Sequence, residues 1–212
     1  MIDYTQKKYY EEYYVKFADF QKSKKWSKYY YQAVNYLFPD LSNYRSKRIL
    51  ELGSAFGGFI DILNDHGFNN VSASDMNKYL WNKKLSNKFQ IIDITEIKES
   101  RKYDLLFSFD VFEHIADFNL CISGIKKLLT PSGYLIMSIP YPSKFYLYDK
   151  SHINIQPEYY YANILNRNGF KIINISTYSF FPLLWRLGLN ALVPINISSK
   201  YFVTENFIIA QF

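Results

Sequence analysis

Residues 49 to 63 read Ile49-Leu50-Glu51-Leu52-Gly53-Ser54-Ala55-Phe56-Gly57-Gly58-Phe59-Ile60-Asp61-Ile62-Leu63. The apolar run Ile49, Leu50 and Leu52 predicts a buried parallel strand that ends at Gly53. Gly57 and Gly58 predict a turn, after which Phe59, Ile60, Ile62 and Leu63 recur at helical spacing. Strand, glycine turn and helix together can hold an anionic or adenosine-bearing ligand. The glycines let the backbone come close, and the helix N-terminus offers unpaired N–H groups. The stretch alone leaves the ligand open. A dinucleotide site asks for G-x-G-x-x-G, and here Gly53, Ala55, Gly57 and Gly58 stand instead.

Further strands follow downstream. Asn70 to Asp75 reads as a second strand ending in an acid, with Asp75 22 residues beyond Gly53. A carboxylate there can accept both hydroxyls of a ribose, or it can cap the segment Asn77 to Leu85. Lys88 to Ile94 is the third strand, with Asp93 near its end, and Tyr103 to Phe109 the strongest central one. Phe118, Ile122, Ile125, Leu128 and Leu129 then mark a helix facing the sheet. Thr130 to Gly133 reads as a turn, Tyr134 to Ile139 as the fifth strand and 140–155 as a loop beside the crevice. Pro157 to Asn168 is a helix stopped by Gly169, Phe170 to Ser179 the sixth strand and Tyr201 to Phe212 the last.

In this order, Glu51 before the glycine turn, Asp75, Asp93 and the segment Asp110-Val111-Phe112-Glu113-His114 resemble the class I S-adenosylmethionine-dependent methyltransferases of the small type 11/23 group. The resemblance covers roughly residues 45 to 175. It implies a three-layer, Rossmann-like α/β sandwich, its seven-stranded sheet ordered 3-2-1-4-5-7-6 with the seventh strand antiparallel. The methyltransferase domain would then be 45–212, behind an N-terminal helical segment 1–44. The resemblance also implies S-adenosylmethionine contacts at Glu51, Gly53, Ser54, Ala55, Gly57, Asp75, Met76, Asp93, Ile94 and Phe109. Family members usually carry Pro-Gly-Gly where this chain has Pro131-Ser132-Gly133.

Methyl transfer is an in-line displacement on a methyl already activated by the cofactor, so a protein mainly aligns the reactants and excludes water. An oxygen acceptor gains from a base or a metal that removes its proton. His114 and His152 are the candidate bases. Asp110, Glu113 and His114 stand at i, i+3 and i+4, so on a helix they would share a face and could hold a divalent cation with His152 as a fourth ligand. This pattern resembles the Glu-x-x-Glu-His motif of ubiquinone-biosynthesis O-methyltransferases and small-RNA 2′-O-methyltransferases, which implies Mg or Mn. Here Asp110 replaces the first Glu. Against the metal stands the breadth of Glu-His at this place, which extends to group members with no known metal. His66 sits at a helix end and reads as structural.

Composition narrows the rest. A chain of 212 residues, 49% hydrophobic and 20% aromatic, can bury one proper core. Its one cysteine, Cys121, excludes an internal disulfide, suits a reducing cytoplasm and falls in an apolar helix pattern. No apolar signal-peptide core is seen, and no run reaches the about 18 apolar residues that span a bilayer. Of the net charge of +6, residues 1–48 supply most, with ten Lys or Arg against five Asp or Glu.

That leading segment carries Tyr4, Tyr9, Tyr10, Tyr13 and Tyr14, then Tyr29, Tyr30, Tyr31 and Tyr36, with a helix expected from Ser27 to Phe38. It reads either as helices packed on the domain edge or as a lid, with tyrosines stacking on a sugar or base and Lys22, Lys24, Lys25 and Lys28 meeting a phosphate. The apolar insert 180–195 could cover the chain's own core, a second subunit, a bilayer surface or a lipid-like acceptor. The expected activity is O-methylation of a small or glycan- or lipid-linked acceptor, within glycan biosynthesis. Its rivals are a catalytically silent cofactor scaffold and metal-assisted 2′-O-methylation of RNA. A nicotinamide dehydrogenase is disfavoured by the missing fingerprint, and general nucleic-acid binding by the acids among the N-terminal lysines.

Overall fold

The computed structural model describes residues 20–76, 80–98, 101–142, 151–180 and 203–212. The start of the N-terminal segment, the middle of the loop after the fifth strand and the apolar insert beyond Phe180 lie outside the described residues.

Helix α1 runs from Phe20 to Leu37. It begins before Ser27 because nothing in Gln21 to Trp26 breaks a helix, and the Ser27 hydroxyl donates back to the Ser23 carbonyl at 2.8 Å as a mid-helix serine does. After a 3-10 turn at Pro39–Tyr44 come β1 (Ile49–Leu52), α2 (Gly58–Asp65), β2 (Val71–Asp75), β3 (Lys88–Ile91) and β4 (Tyr103–Phe109). A 3-10 turn at Phe112–His114 leads to α3 (Phe118–Leu128), β5 (Leu129–Pro140), α4 (Glu158–Arg167), β6 (Lys171–Phe180) and β7 (Val203–Gln211).

The seven strands form one sheet in the order β3-β2-β1-β4-β5-β7-β6. Pairings are parallel from β3 to β5, whereas β7 runs antiparallel to both β5 and β6. This is the expected topology. The order reverses between β1 and β4, and in such sheets ligands bind beyond the carboxyl ends of the strands at that point.

Because side chains alternate along a strand, each strand feeds two cores. Ile49, Leu105, Phe107, Ile136, Phe207 and Ile209 pack against α1 and α2 through Tyr29, Ala33, Val34, Phe59 and Leu63. Leu50, Leu106, Leu135, Met137, Ile208 and Ala210 face α3 and α4, meeting Phe118, Cys121, Ile125, Tyr161 and Leu165. Cys121 is buried there, and burial pushes its thiol up to about 12.

Besides α1, two strands differ from their expected bounds by three residues or more. β3 stops at Ile91, short of Ile94, because Asp93 folds the chain by accepting the Thr95 N–H at 2.9 Å and its hydroxyl at 2.7 Å. β5 starts at Leu129, the expected end of the preceding helix, because Leu129 pairs with Tyr103 of β4 and Phe212 clamps the following residues. Ser132 N–H donates to the Phe212 carbonyl and Phe212 N–H to the Gly133 carbonyl. Ser132 takes φ +64°, the left-handed conformation that suits glycine.

Candidate functional site

The turn after β1 is held by backbone and by one carboxylate. Gly53, Ala55 and Gly57 all have positive φ, at +74°, +44° and +80°. Ser54 N–H donates to the Ser74 carbonyl and Gly57 N–H to the Ser54 carbonyl, closing the loop above β1 and β2. Asp75 Oδ2 accepts the Ala55 N–H at 2.9 Å. Its carboxylate therefore grips the glycine turn at the crevice, while the start of the segment that it could cap, 77–79, lies outside the described residues. Trp81 and Leu85 close over Gly57, where an added Cβ would meet them at 2.5 and 2.6 Å.

Glu51 lies on the same face of the sheet as Asp75, only 5% exposed. Burial, helped by the nearby Asp75 charge, raises its carboxyl from 4.5 to about 8. Among the described residues, Glu51 Oε2 and the buried Ser54 Oγ have no hydrogen-bond partner. An orphaned buried carboxyl oxygen is costly unless a ligand donor completes it. Met76, next to Asp75, is exposed, while Phe109 is buried at the end of β4 and Ile94 packs on the α3 side. Asp93 lies two residues past β3 in its own tight turn, on the rim that also carries Asp75. Glu51, the 53–57 turn and Asp75 thus meet around the ends of β1 and β2. These residues fit an adenosyl group bearing an amino acid: an orphan acid for an ammonium, a turn that admits close approach, and a second acid beside it.

Past Phe109 the chain does not continue as a regular α-helix. Asp110 adopts φ +51°, and only Phe112–His114 form a 3-10 turn. The helical face that would gather Asp110, Glu113 and His114 is therefore not built. Asp110 turns instead to α1 and the far strands: Oδ2 accepts the Tyr30 hydroxyl, Oδ1 accepts the Ser138 hydroxyl at 3.1 Å, and the carboxyl hydrogen-bonds Glu205. Burial raises the Asp110 carboxyl, and these donors with the charge of His152 only partly offset it. The Tyr30 hydroxyl is pushed up by burial and by the Asp110 and Glu205 charges.

Glu113, His114 and His152 do come together, one ligand atom of each lying within 4.8 Å of the others. His114 Nδ1 lies 3.0 Å from the Ser151 carbonyl. A carbonyl only accepts, so Nδ1 carries the hydrogen and Nε2 of the neutral ring bears a lone pair. That Nε2 is 3.6 Å from Glu113 Oε1, and Glu113 is fully buried. Two electron-rich atoms facing each other call for a positive charge, either a proton on the ring or a cation between them. The ring of His152 stands 5.0 Å from that of His114. Its strand of loop is pinned by Asn154, whose N–H donates to the Glu113 carbonyl and whose Nδ2 donates to the Ile115 carbonyl.

Sequence reading missed Tyr30, Ser138 and Glu205 at this end of the sheet. Glu205 carried a signal as the one acid of the final strand, and Tyr30 only as one tyrosine of the leading segment. His66 caps α2, its Nδ1 2.8 Å from the Ile62 carbonyl and its ring 4.0 Å from that of Tyr31.

A family model for a methyltransferase domain matches residues 21–175. Among solved structures, the chain is similar to a SAM-dependent methyltransferase from Archaeoglobus fulgidus at 17% identity, over 95% of this chain and 100% of that one, with a TM-score of 0.67. It is also similar to an S-adenosylmethionine-dependent methyltransferase from Mesorhizobium loti, at 16% identity over 87% and 98% of the two chains, TM-score 0.64. A third, from Clostridium acetobutylicum, has 13% identity over 96% of both chains and a TM-score of 0.60. At such identities the likeness is one of fold. Comparison with curated proteins finds no match.

Proposed function

The chain belongs to the methyltransferase domain family, and from that premise we propose that it binds S-adenosylmethionine over β1, β2 and β4 and methylates an oxygen of a small or glycan- or lipid-linked acceptor. The hydrogen bond from Ala55 N–H to Asp75 carries the reading, because it joins the glycine turn to the acid that would take the ribose. Glu51 would hold the ammonium of the cofactor's amino acid, with Gly53, Ser54, Ala55 and Gly57 beneath it and Met76, Asp93, Ile94 and Phe109 around the ribose and base. When bound, the cofactor supplies an electrophilic methyl on sulfur. The chain's own work is to line up an acceptor and to receive its proton, for which His114 and His152 are the candidates.

A second reading is favoured by the Glu113, His114 and His152 cluster. Three ligand atoms within 4.8 Å, with His114 fixed through Nδ1 to a carbonyl, suit a divalent cation such as Mg or Mn. Asp110 is held elsewhere, so this set would have three protein ligands. No helix among the described residues is long and apolar enough to cross a membrane.

Calorimetric titration with S-adenosylhomocysteine, repeated on Asp75→Ala, tests the main reading. Binding by the wild type that the variant loses is expected. A wild type that does not bind rejects it. Repeating the titration with Mn²⁺ alone, on wild type and Glu113→Gln, decides the second reading.

A further inference from the structure

Helix α1 delivers one side chain to the end of the central strand. Tyr30 lies flat on Phe109, with ring centroids 4.7 Å apart and planes 5° from parallel, and its hydroxyl reaches the Asp110 carboxyl. Asp110 is a non-glycine residue at φ +51°, a conformation that side-chain-bearing residues seldom adopt. Its carboxyl is fixed from three directions, by Tyr30 of α1, Ser138 of β5 and Glu205 of β7. A second acid, Glu205, is thus held against the first.

The place matters as much as the fixing. The next residue, Val111, packs against Gly53 so closely that a Cβ there would meet Val111 Cγ2 at 2.3 Å. His152 also acts electrostatically on the Asp110 carboxyl, favouring its charged form. Asp110 itself keeps partial exposure, whereas Glu205 is only 1% exposed. Docking α1 would need one acceptor for the Tyr30 hydroxyl. Burying a second acid behind the first is a cost that docking alone does not explain.

We infer that Asp110 is the carboxyl that meets the hydrogen-bearing atom of the acceptor, O–H or N–H, at the point where the methyl is transferred, and that Tyr30 is the positioning residue that holds it there. This rests on the cofactor reading above. A carboxyl so placed receives the hydrogen bond of the attacking group and keeps its attacking lone pair turned to the methyl. It also makes the end of β4 attractive to positive charge.

Two cofactor analogues separate these statements without an acceptor. S-adenosylhomocysteine has no group at the methyl position, whereas sinefungin carries a protonated amine there. The wild type is expected to bind sinefungin about tenfold or more tightly than S-adenosylhomocysteine, the scale of one hydrogen bond between charged groups. Asp110→Asn should erase that preference while S-adenosylhomocysteine still binds. Tyr30→Phe keeps the ring on Phe109, leaves the charge in place and should narrow the preference by loosening the carboxyl.

Equal affinity of the wild type for both analogues overturns the inference and leaves the cofactor reading standing. A preference that survives in Asp110→Asn overturns it too. If Asp110→Asn does not fold, as judged by its melting curve, Tyr30→Phe decides, and an unchanged preference there overturns the inference. A wild type that binds neither analogue removes both readings.

Discussion

Asp75, the last residue of β2, accepts the backbone N–H of Ala55 at 2.9 Å, tying the second strand to the turn after the first. Ala55 has φ +44°, so this bond stabilises a backbone that alanine does not choose by itself. The acid thus shapes the turn and also faces the crevice.

The two roles separate by substitution. Asp75→Asn keeps an oxygen for Ala55 N–H but removes the charge, and should weaken S-adenosylhomocysteine by about tenfold with little change in melting temperature. Asp75→Ala should lower both. Wild-type affinity in Asp75→Asn, measured by calorimetry, would rule out a charged ribose contact.

Glu51 makes the protein less stable as pH rises. Its folded pKa, about 8, lies above its ordinary 4.5, so between those values the native state keeps a proton that the unfolded chain releases. Stability from this group is full below pH 4.5 and is lost as pH climbs towards 8. Glu51→Gln should flatten that decline and melt higher than the wild type at pH 8, by about 2–4 °C for each kcal/mol recovered. Parallel melting-temperature profiles from pH 5 to 8 would refute the assignment. An ammonium beside Glu51 should also expel its proton, so the heat of S-adenosylhomocysteine binding at pH 7 should change between buffers of different ionisation enthalpy.

Gly58 lets α1 lie on the start of α2. A Cβ there would meet the backbone of Ser23 and Lys24 at 2.6 Å, and neither can swing aside. Gly58→Ala should cost about 1–3 kcal/mol and expose α1 to proteolysis. Lys24→Ala removes the ion pairs with Asp61 and Asp65 on the same contact, yet these are partly solvated and should contribute about 0–1 kcal/mol. Urea denaturation that ranked the two variants the other way would show that charge, not close backbone contact, holds the helix.

Ser132 stands at φ +64° in the tight turn that Phe212 clamps. Ser132→Gly should stabilise the fold by up to about 1 kcal/mol, the left-handed strain relieved less the added freedom of the unfolded chain. An unchanged or lower urea midpoint would mean that the serine side chain contributes something the backbone angle does not reveal.

Much of the fold was legible in the sequence because the central strands are buried on one or both faces and read as apolar runs or alternations. The sheet order and the antiparallel last strand followed from the resemblance that those runs and the acids between them carry, and the strand pairing agrees. The ends of elements were less legible. β3 shortens because Asp93 bonds to Thr95, and β5 lengthens because the chain's last residue reaches back to Gly133. Each depends on a local side-chain turn or a distant partner, which periodicity does not encode.

The site divides in the same way. The glycine turn, the acid before it and the acid that ends β2 were legible in the sequence, since each sits at a strand end that an apolar run or alternation marks. The segment Asp110 to His114 was a matter of tertiary structure. Its spacing suggested one helical face, but Asp110 binds Tyr30, Ser138 and Glu205, from 80, 28 and 95 residues away, and the backbone turns to let it. His114 meets His152 only because Asn154 pins the later loop to Glu113 and Ile115. Sequence determined which side chains were available to the crevice; the burial of Asp110 and Glu205 against a helix from the other end of the chain decided which way they face.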